Sequence, residues 1–205
     1  MDKKALQRER TRRYFIDAAK EIVKTQGLEQ VSARNVADLA GYSYATIYNY
    51  FADLNALLWY VAVDLIEEMA ARLGAIPLEG DDPVEWLKQG YRDYVRYYLE
   101  SPAVFRFLFH SQIGAPPPEV APLLELNQIG SKQVRVLQEF VAREMLAADD
   151  VPLVAQTLVA IVHGLLLMCF ASSPRITEPE MFTALDLEID FVLQRLVAAG
   201  AVREN

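Results

Sequence analysis

The spacing of apolar residues along the chain predicts a protein made of helices. In a first predicted helix over 4–26, Phe15, Ala18, Ala19 and Ile22 recur at intervals of three and four, which places them on one face. Similar stripes, separated by glycine and proline, predict further helices over 32–40, 44–50, 53–73, 83–101, 103–110, 119–148, 153–171 and 178–199. The predicted fold class is all-α.

Residues 31–51 predict two short helices joined by a tight turn. Ser32 is a favourable N-cap for the first helix, and Gly41 ends it where a positive φ costs little. Ser43 is predicted to cap the second helix, Tyr44–Tyr50. This arrangement is a helix-turn-helix, whose second helix lies in the major groove when such a motif binds DNA.

The outer face of the second helix carries hydroxyl, amide and aromatic groups with almost no charge. Ile47 and Phe51, four residues apart, are predicted to face inward, which leaves the tyrosines and Asn49 outside. Phosphates and base edges are natural partners for such a face. A helix-turn-helix used only for packing is the alternative, but it gives the tyrosines no role.

Charge is distributed unevenly along the 205 residues, whose net charge is −8. Residues 1–51 carry nine Lys/Arg and six Asp/Glu, a net +3, whereas the remainder carries −11. This predicts a basic head that approaches DNA and an acidic body that does not. The four arginines between positions 8 and 13 are candidates for phosphate or minor-groove contacts, a solvated helix start being the alternative.

These features resemble the N-terminal signature of the TetR family of bacterial transcriptional regulators. The resemblance covers about residues 10–60 and is carried by Ala18-Ala19, Gly27, Ser32, Ala40-Gly41-Tyr42-Ser43, Ala45-Thr46-Ile47-Tyr48-Asn49-Tyr50-Phe51 and Ala56-Leu57-Leu58. It implies a three-helix DNA-binding domain over residues 1–52. It also implies a larger helical domain over residues 53–205 that binds an effector and forms a homodimer.

The same resemblance implies which residues meet DNA. The set is Arg34, Ser43, Tyr44, Ala45, Thr46, Tyr48, Asn49 and Tyr50. Within it Ser43, Tyr48 and Tyr50 match positions that usually bond phosphate, and the others match positions near base edges or the adjoining backbone.

Two positions depart from the family pattern. Leu54 stands where a phosphate-binding lysine is usual, and Asn35 stands where Asp or Glu often completes the capping box. The first departure puts one backbone contact in doubt and predicts a shallower salt dependence of DNA binding.

The central helices are rich in aromatic residues, which suit either a plain core or a pocket for a small, mostly apolar molecule. Family members commonly bind an effector among these helices, which favours the pocket. Its candidate residues are Trp59, Val63, Trp86, Tyr91, Tyr94, Phe105, Phe109, His163, Leu167 and Phe170. His163, polar in an apolar helix, is either an effector ligand or a core histidine with a hydrogen-bond partner.

The later helices carry more apolar surface than one small domain buries. The helix over 119–148, broken near Pro122, is predicted to expose Lys132, Arg135 and Arg143, but the helix over 153–171 is apolar nearly all round. The last helix has one apolar face, formed by Leu185, Ile189, Val192 and Leu196. A two-fold interface would bury the excess, as the family's four-helix bundle does. Gly164, in mid-helix, predicts a close helix approach.

Several classes of protein find no support in the chain. There is no Gly-rich phosphate loop, GxSxG or HExxH motif, so no enzyme and no cofactor are predicted. Cys169 is the single cysteine and lies about 240° around the helix from His163, so neither a disulfide nor a metal site is expected. The charged start and the short apolar run 158–171 predict a cytoplasmic protein without a membrane span.

The predicted function is a transcriptional regulator, by family default a repressor, that binds a palindromic operator as a homodimer and is released by an effector. Two alternatives stay open. One is a regulator controlled by a protein partner or by its abundance. The other is a small-molecule-binding protein whose DNA-binding head is vestigial.

Overall fold

The computed structural model describes residues 2–126, 131–171, 173 and 176–203, and all regular elements in these ranges are helical. The α-helices are α1 Lys3–Gln26, α2 Ala33–Ala40, α3 Tyr44–Ile47, α4 Leu54–Gly74, α5 Pro83–Glu100, α6 Pro102–His110, α7 Ala121–Leu126, α8 Ser131–Ala142, α9 Val151–Phe170 and α10 Glu178–Arg203. Short 3-10 turns cover Leu28–Gln30 and Ala148–Asp150. The predicted all-α class is confirmed.

The helices form two compact units. The first unit consists of Met1–Met69 with Ser101–Gln128, and the second of Ala70–Glu100 with Ile129–Asn205. α4 is continuous through the position where the first unit ends, so its last turn belongs to the second unit. The domain boundary predicted at residue 53 divides the DNA-binding function from the effector-binding function. It does not describe packing units, so it stays a prediction.

In the first unit α1 packs against α2 and α6. The side chains predicted to face inward are buried, including Phe15, Ile22, Ile47 and Phe51. Asp53 caps α4 as its Oδ1 accepts a hydrogen bond from Ala56 N at 2.7 Å. The helix-turn-helix is therefore held on a shared apolar core.

Ion pairs also join α1 to the first part of α4. Asp64 accepts hydrogen bonds from Arg13 and from Lys20, the latter at 2.5 Å. Glu68 pairs with Lys24 at 2.5 Å and with Lys20 at 3.5 Å. Burial alone would raise the pKa of Asp64, but the two cationic donors lower it overall. This network fixes α4 against the N-terminal helix.

In the second unit α5 packs against α8, α9 and α10, around buried residues such as Leu87, Leu137 and Leu158. Two ion pairs set the rotation of α10. Arg92 binds Asp186, and Lys88 Nζ lies 2.7 Å from Asp190 Oδ1.

The prediction of one long helix over 119–148 was wrong. The structure has two shorter helices in this region, α7 and α8, and α8 ends at Ala142. Residues 127–130 between them lie outside the described ranges. Glu144 adopts a positive φ of 60°, and Met145 N donates to Phe140 O at 2.8 Å, the bond that closes a helix C-terminus. The sequence lacks a glycine there, so this end was not visible.

Of two side-chain predictions for the later helices, one is wrong and the other concerns a side chain outside the described residues. Lys132 was predicted to be exposed but is 7% exposed, because it binds backbone carbonyls in its own unit. The side chain of Leu196 lies outside the described residues.

Candidate DNA-binding surface and ligand-binding region

The turn between α2 and α3 forms as the sequence predicts at its first two capping positions. Ser32 Oγ accepts from Asn35 N at 3.1 Å, and Gly41 has a φ of 78°. Asn35, which departs from the family pattern, donates from Nδ2 to Gln30 O at 2.8 Å and so stabilises the same helix start. Tyr42 N donates to Ala37 O at 2.9 Å and closes α2.

The recognition helix is shorter than predicted. α3 covers Tyr44–Ile47, and the backbone N–H groups of Asn49 and Tyr50 bond three residues back rather than four, at 3.1 and 2.9 Å. The last turn is therefore tightened, as helix ends often are. Ser43 makes no side-chain bond to the backbone of α3, and its Oγ lies 2.8 Å from Thr46 Oγ1 instead.

Most of the predicted DNA contacts are accessible. Tyr44 is 63% and Tyr48 51% exposed, and further exposed positions are Arg34, Ser43, Ala45 and Asn49. Thr46 and Tyr50 are half-buried. Tyr50 packs on Phe15, with ring centroids 5.7 Å apart, so part of its ring serves the core.

The N-terminal arginines are mostly engaged inside the first unit. Arg8 donates to Asn49 O at 2.9 Å, Arg12 lies 3.9 Å from the centre of the Tyr60 ring, and Arg13 binds Asp64. Among the described residues, Arg10 and Arg34 have no ion-pair partner. Arg8 is also exposed and bonds a backbone carbonyl rather than a carboxylate, so Arg8, Arg10 and Arg34 are the arginines of residues 1–52 that no described carboxylate neutralises.

Sequence reasoning missed two exposed apolar side chains in this unit. Leu39 of α2 is 54% exposed, and Tyr14 of α1 is 51% exposed. Tyr14 lies 6.4 Å from Tyr42, ring centre to ring centre. Only Val36 and Ala37 of α2 are buried, so the apolar face of this short helix is too narrow to include Leu39.

Four predicted effector residues lie in the first unit: Trp59, Val63, Phe105 and Phe109. Val63 and Phe105 are buried, and the Phe105 and Phe109 rings are 5.1 Å apart. Trp59 Nε1 donates to Gly114 O at 2.8 Å and so holds the loop that follows α6. These residues have structural partners in the unit.

The other six lie in the second unit: Trp86, Tyr91, Tyr94, His163, Leu167 and Phe170. Tyr94 Oη and His163 Nε2 are 2.8 Å apart, which joins α5 to α9. Burial raises the pKa of Tyr91 and of Tyr94, so both phenols stay protonated. Leu167 is 42% exposed and does not belong to this buried group.

The Tyr91 hydroxyl is buried and has no hydrogen-bond partner among the described residues. A buried polar group in this state costs roughly 1–3 kcal/mol relative to a bonded one. It lies one helical turn from Tyr94 on α5, whose hydroxyl is hydrogen-bonded to His163.

No cluster of three or more potential metal ligands occurs in the part of the chain that the structure describes. The first unit thus exposes the polar face of α3, and the second unit holds two buried phenols, Tyr91 and Tyr94, beside the half-buried His163. The fold therefore places the protein in the class of helix-turn-helix proteins that carry a larger helical domain.

Residues 15–60 match the model of bacterial regulatory proteins of the tetR family. These residues therefore form a DNA-binding domain of the tetR type, in agreement with the resemblance found in the sequence. A search of curated proteins finds no match.

Solved structures share the fold over nearly the whole chain. RolR in complex with resorcinol is 24% identical over 93% of this chain and 96% of that one, with a TM-score of 0.69. FadR of Thermus thermophilus, a TetR-family repressor in complex with lauroyl-CoA, is 20% identical over 89% and 93%, with a TM-score of 0.66. A TetR transcriptional regulator from Rhodococcus sp. RHA1 is 21% identical over 90% and 96%, with a TM-score of 0.60.

Proposed function

We propose that this protein is a cytoplasmic transcriptional repressor that binds a palindromic operator as a homodimer. It has no catalytic role in this proposal. The observation that carries it is the exposure of Tyr44, Tyr48, Asn49 and Arg34 on a helix-turn-helix of the TetR type. Hydroxyl and amide groups at the start of a recognition helix meet phosphates and base edges.

The outer faces of α9 and α10 support dimerisation through these two helices. Leu153 of α9 is 61% exposed, and Leu187 and Phe191, one turn apart on α10, are 64% and 58% exposed. A Cβ at Gly164 would meet no described residue of another element within 4 Å, so in our proposal a second copy makes the close approach predicted there. A two-fold interface of apolar helices would cover all of these positions.

The stretch Ala148–Phe170 is the one helical segment in the described residues that is long and apolar enough to cross a membrane, with a mean hydropathy of 2.2. Only 28% of its apolar window is buried within the chain. In our proposal the second subunit covers the remainder, with α9 of each copy in a four-helix bundle.

The proposed effector is a small, mostly apolar molecule that carries at least one hydrogen-bonding group. Tyr91, Tyr94 and His163 are the polar groups of the second unit that would orient it. Resorcinol, bound by RolR, has this character, and the acyl chain bound by FadR is largely apolar. The remaining predicted residues of the second unit, Trp86, Leu167 and Phe170, would supply apolar surface.

α4 is the proposed connection between effector and DNA. Its first part is bonded to α1 through Asp64 and Glu68, and its last turn is bonded to Lys132 of α8. An effector releases DNA only by as much as it prefers the non-binding arrangement of the dimer. We propose that this preference acts on α4 and so on the separation of the two recognition helices.

Gel shifts with the DNA upstream of its own gene, at stated salt concentrations, test DNA binding. Tyr48→Phe with Asn49→Ala should weaken specific binding by at least about tenfold, because each such contact is worth about 1–3 kcal/mol. Tyr14→Phe, an equally exposed tyrosine on α1, is the matched control. Unchanged affinity in the double variant would exclude this recognition surface.

A thermal-shift screen of small aromatic and acyl compounds tests effector control. A bound effector at one hundred times its Kd should add about 2.7 kcal/mol to the free energy of unfolding. A compound that raises the Tm and also releases the DNA supports the proposal. Specific DNA binding with no stabilising compound would instead indicate control by a protein partner or by abundance.

A further inference from the structure

The loop after α4 is held by side chains from α5 and from the region of α8. Lys132 Nζ donates to the carbonyl oxygens of Leu73 at 3.1 Å and Ile76 at 2.8 Å. These carbonyls lie at the C-terminal end of α4, where a cation is favoured by the helix dipole. Two of the three ammonium protons are thereby used, and one is left for another acceptor.

Trp86 is fixed in the same way. Its Nε1 lies 3.0 and 3.1 Å from the carbonyl oxygens of Glu79 and Gly80. The guanidinium of Arg143 lies 5.2 Å from the centre of the indole ring and donates to Asp81 O at 2.7 Å. The loop is therefore ordered by five carbonyl bonds that involve three side chains, and no ligand is needed to shape it.

Two of these side chains, Lys132 and Trp86, also line a cavity of about 430 Å³, which lies within the size range of small-molecule sites. Its apolar wall includes Ile76, Leu78 and Val136, and Trp86 adds an aromatic surface. Of the effector candidates predicted from the sequence, Trp86 alone lines it.

The charged groups of this cavity are unevenly balanced. Lys132 and Arg135 both line it, as does Glu139. Glu139 is already paired with Arg143, whose Nε lies 2.8 Å from Glu139 Oε1. Arg135 is exposed and forms no ion pair with any described residue. The cavity therefore offers positive charge beside an apolar and aromatic wall.

We propose that this cavity binds a small aromatic carboxylate, separately from the Tyr91–Tyr94–His163 group. The ring would pack against Trp86 and Val136, and the carboxylate would accept hydrogen bonds from Arg135 and from the remaining N–H of Lys132. The guanidinium fork matches a carboxylate in two-bond geometry. Because Lys132 also binds the last turn of α4, the ligand would connect α4 to α8. This inference depends only on the second unit and does not require DNA binding.

The test uses the full chain with Trp59→Phe, which leaves Trp86 as the single tryptophan of the two in the sequence. The probes are 2-naphthoate and its neutral isostere 2-naphthamide, measured by calorimetry and by the ¹⁵N indole signal of Trp86. We expect naphthoate to bind at least about tenfold more tightly, since charge-assisted bonds exceed neutral ones by about that factor. The indole signal should shift with the same Kd.

Arg135→Gln should remove that tenfold preference while leaving naphthamide binding unchanged. Arg106→Gln, an exposed arginine of α6 in the other unit, is the matched control and should retain it. Equal affinity for the two probes would overturn the proposal, as would equal losses in both arginine variants. Naphthoate binding without any shift of the indole signal would place the ligand elsewhere and also overturn it.

Discussion

The two units of this protein distribute polarity in opposite ways. In the first unit the charged side chains of α1 and α4 pair with one another, and the exposed face of α3 shows hydroxyl, amide and ring groups. In the second unit the phenols of Tyr91 and Tyr94 are buried, and leucine and phenylalanine side chains are exposed on α9 and α10. The same helical architecture thus presents a polar surface at one end of the sequence and an apolar surface at the other.

This difference indicates different partners. Exposed apolar faces on helices of a folded unit call for another protein surface. An uncharged polar face on α3, with an exposed arginine at position 34 of α2, is consistent with the nucleic-acid partner that we propose.

The outer face of α10 is part of the dimer interface that we propose, and substitutions on this face test it. Leu187→Glu with Phe191→Glu should dissociate the proposed dimer at micromolar concentration. Four large side chains are lost from a two-fold interface, each worth about 1.5–3 kcal/mol of burial, so the dimer should weaken by roughly 6 kcal/mol or more. Sedimentation equilibrium measures the change.

Leu39→Glu provides the control, because Leu39 is similarly exposed but lies on α2. It should leave the oligomeric state unaltered. A dimer that persists in the α10 double variant, or one that Leu39→Glu disrupts equally, would show that the interface lies elsewhere.

In the first unit, Asp64 of α4 forms ion pairs with two cations of α1. Asp64→Asn should lower the free energy of unfolding by about 2 kcal/mol at pH 7, because Arg13 and Lys20 lose a shared, largely buried partner. Asp38→Asn, an exposed carboxylate of α2 without an ion pair among the described residues, is the control. Urea denaturation at pH 7 measures both.

The pH dependence of the same pair gives the sign of the effect. The pKa of Asp64 in the folded chain lies below its ordinary value, since the hydrogen bonds from Arg13 and Lys20 outweigh burial. Its stabilisation is therefore present above about pH 4 and is lost as the pH falls through the folded-state pKa. The difference between wild type and Asp64→Asn should shrink over that acidic range, and a difference independent of pH would contradict this account.

Local signals made the head predictable. Ser32, Gly41 and the inward pair Ile47 and Phe51 each have a mechanism that acts within a few residues, and each behaves as the sequence indicates. The length of the recognition helix was not predictable in the same way. The tightened turn at Asn49 and Tyr50 coincides with the packing of Tyr50 on Phe15, a contact 35 residues away in sequence that no local pattern indicates.

Side chains with partners distant in sequence were hardest to place. Lys132 looked like a solvated lysine, but its acceptors are carbonyls 56 and 59 residues earlier. The partner of Arg13 is Asp64, 51 residues later, so the arginine cluster looked more available to DNA than it is. The ten effector candidates were chosen by residue type, and packing divides them between the two units.

Replacing Leu54 by the lysine that the family pattern contains tests whether the start of α4 contacts DNA phosphate. Leu54→Lys should steepen the slope of log K against log salt by about 2, since each subunit of a dimer gains one phosphate contact of about 0.9. Over a fourfold change in salt this is roughly a tenfold difference in affinity. Leu54→Gln keeps a polar side chain without charge and should leave the slope as it is. Equal slopes in both variants would show that position 54 does not reach phosphate.

The smallest predicted effect concerns two tyrosines one turn apart in the interior of the second unit. Tyr91→Phe removes a buried hydroxyl that has no partner among the described residues, so the free energy of unfolding should be unchanged or rise by about 1 kcal/mol. Tyr94→Phe removes the 2.8 Å contact with His163 and should lower it by about 1 kcal/mol. Each variant is the control for the other, because both lose one oxygen from a 2% exposed ring. If Tyr91→Phe destabilises as much as Tyr94→Phe, its hydroxyl has a partner in solution. It would then be unavailable to the effector that we propose.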